Sequence, residues 1–282
     1  MKDAATAFSK EGKVRRLPII VVIACLLFPL TASAADKQAS KAMNKIEPLP
    51  RGLEIELALS ALPPHLRDHA TVYVLNPDNG FEVARKGTNG FYALVARTGD
   101  DTFRGSWPLT RYRDDILYPI SFDSAGAKAQ MRVFLDAAEM QAGGTPAEEL
   151  KKIMQERIKK GYYKAPARAG VSYMLSPILR TYENPDKSDK VYTANLPHVM
   201  YYAPNVSNEE IGGTPPSIHI AGYRMIVQGR YPFVIMPGPF GYIVQFLGTT
   251  ERADITREYE GMLGRLCELK KVWCLPKEKG QY

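Results

Sequence analysis

Strand-forming runs in this chain fall into two groups with helix-forming sequence between them, and that order constrains the fold more than any single motif. "ATVYVL", "FEVAR" and "FYALVAR" lie within residues 70–97, and "GVSYMLS", "HVMYYAP", "YRMIVQG", "FVIM" and "GYIVQFL" within 170–247. Between them stand "SAGAKAQMRVFLDAAEMQAGG" and "AEELKKIMQERIKK", the second with Leu150, Ile153, Met154 and Ile158 on one helical face. A parallel α/β sheet needs strands and helices to alternate, and here they do not. The expectation is α+β: a mainly antiparallel sheet with two or three packed helices. One of these is a C-terminal helix from about Asp254, carrying Ile255, Tyr259, Met262, Leu263 and Leu266 at helical spacing.

Local chemistry punctuates this order. "NPDNG" reads as the turn between the first two strands. "KGTNGFYAL", Lys86 to Leu94, could be an anion-holding glycine loop or a turn. Such loops sit between a strand and a helix, whereas both flanks here are strand-like, so Asn89-Gly90 is read as a tight hairpin within an antiparallel meander. "GLEIELALSAL" is ambiguous between strand and helix, and Pro63-Pro64 ends either. Thr145-Pro146-Ala147-Glu148 reads as a capping box with proline at the first helical position. Residues 98–125 form a long polar link, either a lid or a surface excursion. "TYENPDKSDKVYT" and "PNVSNEEIGGTPPS" read as solvated loops.

The N-terminus carries Lys10, Lys13, Arg15 and Arg16, then an apolar run from Leu17 to Leu30, then Ala32-Ser33-Ala34. That is the pattern of a cleaved secretory signal covering residues 1–34, the run being too short for the roughly 20 residues of a membrane span. A lipoprotein signal at Cys25 is the competing reading, opposed by the apolar Leu26, Leu27 and Phe28 that follow. A flexible leader over 35–51 and a single domain over 52–282 complete the expected organisation. Of the 282 residues, 248 remain after cleavage, and the net charge falls from +7 to +4 because five basic and two acidic residues leave with the signal. No dense basic run marks a nucleic-acid face, and membrane contact is expected only through the uncleaved signal. Cys267 and Cys274 are the cysteines left, and in an exported chain they are expected to pair across "CELKKVWC". The destination is periplasmic or secreted.

Catalytic signatures are sparse. There is no G-x-S-x-G elbow, S-x-x-K or H-E-x-x-H, and no cofactor motif, so no cofactor is expected. His65 and His69 have i, i+4 spacing but only about one turn of helix between Pro64 and the next strand, so they are not read as metal ligands. Asp100-Asp101, Asp114-Asp115 and Glu209-Glu210 are adjacent pairs whose side chains point apart on a strand. The aromatics are more suggestive. Tyr201, Tyr202, Tyr223, Tyr231, Phe233, Phe240 and Tyr242 crowd the second half beside His198. They make either an aromatic core or an apolar cleft with tyrosine hydroxyls at its rim.

In order along residues 54–248, "ALSALPPHLRDHATVYV", "RKGTNGFYAL", "GVSYMLS", "LPHVMYYAPN" and "GPFGYIVQFLG" resemble a family of uncharacterised exported bacterial proteins with no assigned activity. In the proteins it resembles, cysteines stand just after the N-G turn and after a Pro-Met or Pro-Ile pair. This chain has Tyr92-Ala93 and Pro119-Ile120-Ser121 there, so any such bridge is absent. The resemblance supplies no activity; the signal, the tyrosine and methionine concentration and the missing catalytic signatures lead instead to the expectation of a non-catalytic binder of a small apolar or aromatic ligand, or of an envelope partner. Its candidate ligand-binding residues are His198, Tyr201, Tyr202, Tyr223 and Tyr242. An exported hydrolase using His198 is the alternative.

Overall fold

Eight strand runs in the sequence become twelve strands among the described residues, because alternating apolar residues find partners both near and far along the chain. The computed structural model describes residues 45–97, 111–182, 190–213, 219–221, 224–226, 231–236 and 238–276, all within one compact unit. Helices α1 (Arg51–Ser60) and α2 (Pro64–Arg67) precede strands β1 (Thr71–Asn76), β2 (Gly80–Arg85), β3 (Tyr92–Ala96) and β4 (Tyr118–Phe122). Next come helices α3 (Ser124–Lys128), α4 (Met131–Ala142) and α5 (Ala147–Lys159). Strands β5 (Val171–Met174), β6 (Leu179–Tyr182), β7 (Val191–Ala194) and β8 (His198–Tyr202) follow, then α6 (Asn208–Ile211). The chain continues through β9 (His219–Ala221), β10 (Arg224–Ile226), β11 (Phe233–Ile235) and β12 (Tyr242–Phe246) to α7 (Thr249–Glu258) and α8 (Glu260–Leu269). The fold is α+β, with antiparallel-rich sheets and a helical C-terminus.

The first sheet has order β2-β1-β3-β4, and this corrects the meander. β1 and β2 form the expected hairpin over "NPDNG", with Gly80 at φ 86°. β3 does not return beside β2. It crosses to the far edge of β1 and pairs with it in parallel, Thr71 opposite Tyr92. Asn89-Gly90 is therefore a crossover and not a hairpin turn. Thr88 and Asn89 donate their amides to the His69 carbonyl, and the Asn89 side chain donates to the Leu66 carbonyl. A Cβ on Gly87 would fall 2.2 Å from that same His69 oxygen, so only glycine lets the crossover lie against the entry to β1.

The second sheet, β11-β12-β8-β5, is wholly antiparallel. β4 and β5 lie side by side between the two sheets, but serine hydroxyls replace part of the ladder. Ser121 Oγ donates to the Tyr173 carbonyl at 3.0 Å and accepts from its amide at 3.2 Å, while Ser172 Oγ donates to the Ser121 carbonyl. Ala93 and Ser121 are register partners in β3–β4. Two further pairs, β6–β7 and β9–β10, complete the described strands, the first joined to β4 by a bridge between Leu117 and Arg180.

Two cores flank this array. On the inner side, Leu94, Ile120, Phe122, Met200, Tyr242 and Val244 pack with Phe134 of α4 and with Leu150 and Met154 of α5. On the outer side, Val72, Ala93 and Val95 pack with Leu53 and Leu57 of α1, Met262 and Leu266 of α8, and Trp273. "GLEIELALSAL" resolves to helix because this core takes Leu53, Leu57 and Ala58 from one helical face. Ile46 and Leu49, within the stretch read as leader, are buried. α5 starts at Ala147 with Pro146 as its N-cap and no side-chain cap, so the predicted box is absent. A true capping box stands at Ser207 and Glu210, inside the stretch read as a solvated loop. The C-terminal helix begins at Thr249 rather than near Asp254 and is divided at Tyr259. Cys267 and Cys274 are bridged, with Cα atoms 4.4 Å apart.

Candidate functional site

β-Strand alternation divides the aromatic second half into two populations. On β8, His198, Met200 and Tyr202 point into the inner core, and Val199 and Tyr201 point out. β12 repeats the pattern in register: Tyr242 and Val244 sit in, opposite Tyr202 and Met200, while Ile243 lies opposite Tyr201. The structure thus gathers His198, Tyr202 and Tyr242 in the inner layer and separates Tyr201 from them. Tyr223 lies outside the described residues.

Each inward group is engaged differently. Tyr202 lies between two glycines: a Cβ on Gly126 would meet its hydroxyl at 1.9 Å, and one on Gly170 its ring at 2.8 Å. Its hydroxyl donates to the Val171 carbonyl at 2.9 Å, and burial drives the phenol far above its ordinary range. The Tyr242 ring is 5.8 Å from that of Tyr202, and its buried hydroxyl has no hydrogen-bond partner among the described residues. Burial raises this phenol well above 10 as well. The His198 ring is 8% exposed, with Nδ1 2.7 Å from the Leu196 carbonyl and its face 5.3 Å from Phe246. An imidazole bonded this way carries its proton on Nδ1 and donates it to the main chain. The geometry is that of a core histidine. His65 and His69 are exposed, and no group of three or more His, Cys, Asp or Glu among the described residues is placed to hold a metal.

The outer population has a different character. Tyr201 is 49% exposed, and register puts it in a row with Val171 on β5 and Ile243 on β12, both partly exposed. Val199 and Tyr173 form the next row, with Tyr173 leaning on Phe91 at 6.1 Å. At the β11 edge, Asn208 occupies the free main chain of Val234: its amide oxygen accepts from the Val234 amide at 2.7 Å, and its nitrogen donates to the carbonyl at 3.1 Å. That closes the sheet edge to another strand. The open feature is the face. Sequence reasoning listed Tyr201 with its inward neighbours; strand period alone separates it from Tyr202.

Buried charges elsewhere serve the fold. Arg97 is 3% exposed and donates to the Ile116, Glu47 and Asp114 carbonyls. Glu54 accepts the Leu75 amide at 2.8 Å; burial pushes its carboxyl up to about 7, partly offset by that bond and by Arg97. Burial also raises Asp115, but hydrogen bonds from Arg113 and Arg180 outweigh it and hold the carboxyl down at about 2. Asp136 is buried between Arg157 and Tyr163. Two cavities, each the size of about one water molecule, lie beside α4, lined in common by Leu75, Ala138 and Gln141 and by no residue of β8 or β12. No family model, curated protein or solved structure matches this chain.

Proposed function

We propose that this chain is an exported, non-catalytic binding protein that holds an envelope partner against the outer face of its second sheet. The observation that carries the reading is Tyr201, half exposed in a row with Val171 and Ile243 on an otherwise antiparallel, edge-capped sheet. Tyrosine on open apolar ground contributes large contact area at low entropy cost, which is why such residues dominate association. The inward aromatics pack on one another, which favours a partner surface over a small ligand held among them.

Export is supported from both ends of the chain. The Cys267–Cys274 pair suits an oxidising, extracytoplasmic location. The charged start, the apolar run and Ala32-Ser33-Ala34 support a cleaved signal, with periplasm or medium as the destination. The resemblance to exported bacterial proteins agrees with it.

The test is site-specific photo-crosslinking in exporting cells, with the photoreactive residue at Tyr201 and, as a comparison, at Val83, which is 42% exposed on the β2 edge. A discrete adduct from position 201, absent from position 83 and lost on Val199→Asp, supports the reading. Equal labelling from both positions, or none from 201, overturns it. A small ligand released from the native protein only on unfolding would move the binding site inward.

A further inference from the structure

The end of α5 carries a second surface, separate from the sheet face. From Arg157 to Tyr182 the chain contains no Asp or Glu, while Arg157, Lys159, Lys160, Lys164 and Arg168 fall within its first half. Lys159, Lys160, Lys164 and Arg168 are all exposed. Lys159 and Lys164 have no acidic partner among the described residues. Lys160 meets Glu156 at 3.1 Å, with both side chains about 70% exposed, and Arg168 reaches Asp123 only at 3.5 Å. The first pair is solvated, and the second ties Arg168 to a buried carboxylate only at its long limit, so the unpaired Lys159 and Lys164 and the weakly screened Lys160 keep the patch positive.

An aromatic stands in the middle of this patch. Gly161, at φ 64°, closes α5: its amide donates to the Ile158 carbonyl and that of Tyr162 to the Arg157 carbonyl. The next two residues then go opposite ways. Tyr163 turns inward, 4% exposed, with its hydroxyl on Asp136 at 3.1 Å. Tyr162 turns outward, 56% exposed, its ring edge-on to Tyr163 at 5.1 Å and 4.9 Å from the Arg157 guanidinium. Arg157 is itself anchored on Asp136 at 2.9 Å. Tyr162 is therefore held out by the buried Tyr163 and the half-buried Arg157, both fixed on Asp136. The helix dipole accounts for Lys159 and Lys160 at the last turn, but not for Lys164 and Arg168 beyond it.

We infer that this end of the molecule docks on a bilayer containing anionic phospholipid, with Lys159, Lys160, Lys164 and Arg168 on the headgroup phosphates and Tyr162 at the interface. Basic side chains around an outward aromatic are the combination that such a surface attracts: cations meet phosphate, and an amphipathic ring sits at headgroup level. No helix among the described residues is long and apolar enough to cross a membrane, so the contact is peripheral.

The test is co-sedimentation of the disulfide-intact chain from Ala35 onward with vesicles of phosphatidylglycerol and phosphatidylcholine, against phosphatidylcholine alone. Binding to the anionic vesicles at about 0.1 M salt, lost near about 0.5 M, is expected. Lys159→Glu with Lys164→Glu lowers the partition coefficient about tenfold or more, and Tyr162→Ser lowers it separately with circular dichroism unchanged. Equal binding to neutral vesicles, no binding to anionic ones, or variants that bind as wild type overturn the proposal. So does retention on an immobilised soluble polyanion without vesicle binding, which would assign the patch to an acidic polymer.

Discussion

Val95 on β3 and Tyr201 on β8 occupy outward positions on neighbouring sheets that share one inner core, yet Val95 is 0% and Tyr201 49% exposed. The strands do not differ enough in composition to explain this; what lies above them does. The outer face of the first sheet is roofed by α1, α8 and Trp273. That roof is tied down from several directions: Trp273 Nε1 donates to the Asp115 carbonyl at 2.8 Å, Lys270 meets Asp114 at 2.5 Å, and Thr193 donates to the Val272 carbonyl at 2.5 Å. Asp115 in turn holds Arg180 on the β6–β7 pair. An apolar face becomes core only where the chain returns to cover it, and the C-terminal segment returns to the first sheet.

The largest effect breaks this comparison directly. Val95→Asp places an unpaired charge in a sealed core and should cost about 4 kcal/mol or more, enough to unfold a domain of ordinary stability. Tyr201→Asp should cost about 1 kcal/mol or less, since the new carboxylate stays in water. Urea denaturation of both variants measures the contrast. If Tyr201→Asp proves as damaging as Val95→Asp, the outer face of the second sheet is covered too and the proposed binding surface is lost.

A second test uses pH to read how dry the roofed side is. Glu54 lies on α1, and its folded pKa of about 7 stands above the ordinary 4.5 because burial penalises the charged form. The folded state holds the proton more tightly than the unfolded chain. Its stabilising contribution is thus complete below about pH 4.5 and lost as pH rises through about 7. The shift corresponds to roughly 3 kcal/mol. Glu54→Gln keeps an acceptor for the Leu75 amide and carries no charge. Its stability relative to wild type should therefore improve by about 3 kcal/mol between about pH 4 and pH 8. A difference independent of pH would mean that water reaches Glu54 and that the roof is looser than its packing indicates.

These contrasts also show what could be read from the chain alone. The strands of the second sheet were legible because "HVMYYAP" and "GYIVQFL" alternate or run apolar between turn formers, although they pair antiparallel across about 40 residues of intervening chain. The crossover after β2 was not legible: Asn89-Gly90 reports a sharp change of direction but not which neighbour β3 takes, and the close approach that Gly87 permits against the His69 carbonyl appears only in three dimensions. The helical state of "GLEIELALSAL" needed a partner surface, since Leu53, Ile55, Leu57 and Leu59 alternate as well as any strand. The Asp115–Arg180 tie joins residues 65 apart, a distance at which charge pairing leaves no local pattern. The aromatic cluster was visible, but its division into buried and open faces required the strand register.

The disulfide sharpens the comparison at the next level down. Cys267–Cys274 closes the short loop that carries Trp273, which is 2% exposed and has Lys270 5.2 Å from its ring centre. A loop this short removes little entropy from the unfolded chain, so reduction should lower stability by about 2–3 kcal/mol. Mass spectrometry of the unreduced, exported protein should find the bridge, and denaturation with and without reductant should give the difference. Two free thiols in the exported protein would remove this tie and weaken the case for an oxidising destination. A much larger loss would show that the bridge holds the whole roof and not only one loop.

The smallest effect concerns the inner face, where both sheets are equally covered. Tyr242 is 1% exposed, and its hydroxyl has no hydrogen-bond partner among the described residues. Burying a hydroxyl without compensation costs about 1–3 kcal/mol on protein scales, whereas the ring belongs in this core beside Tyr202. Tyr242→Phe removes the oxygen and keeps the ring, so it should leave the fold unchanged and raise stability by about 1 kcal/mol. Tyr202→Phe is the matched control: its hydroxyl donates to the Val171 carbonyl, so losing it should lower stability by about the same amount. Opposite signs at two adjacent rings would place the orphaned group at Tyr242 and remove it from the candidate binding residues. A Tyr242→Phe variant that loses stability instead would mean that the hydroxyl is satisfied in solution, and the inner aromatic layer would regain its claim as a site.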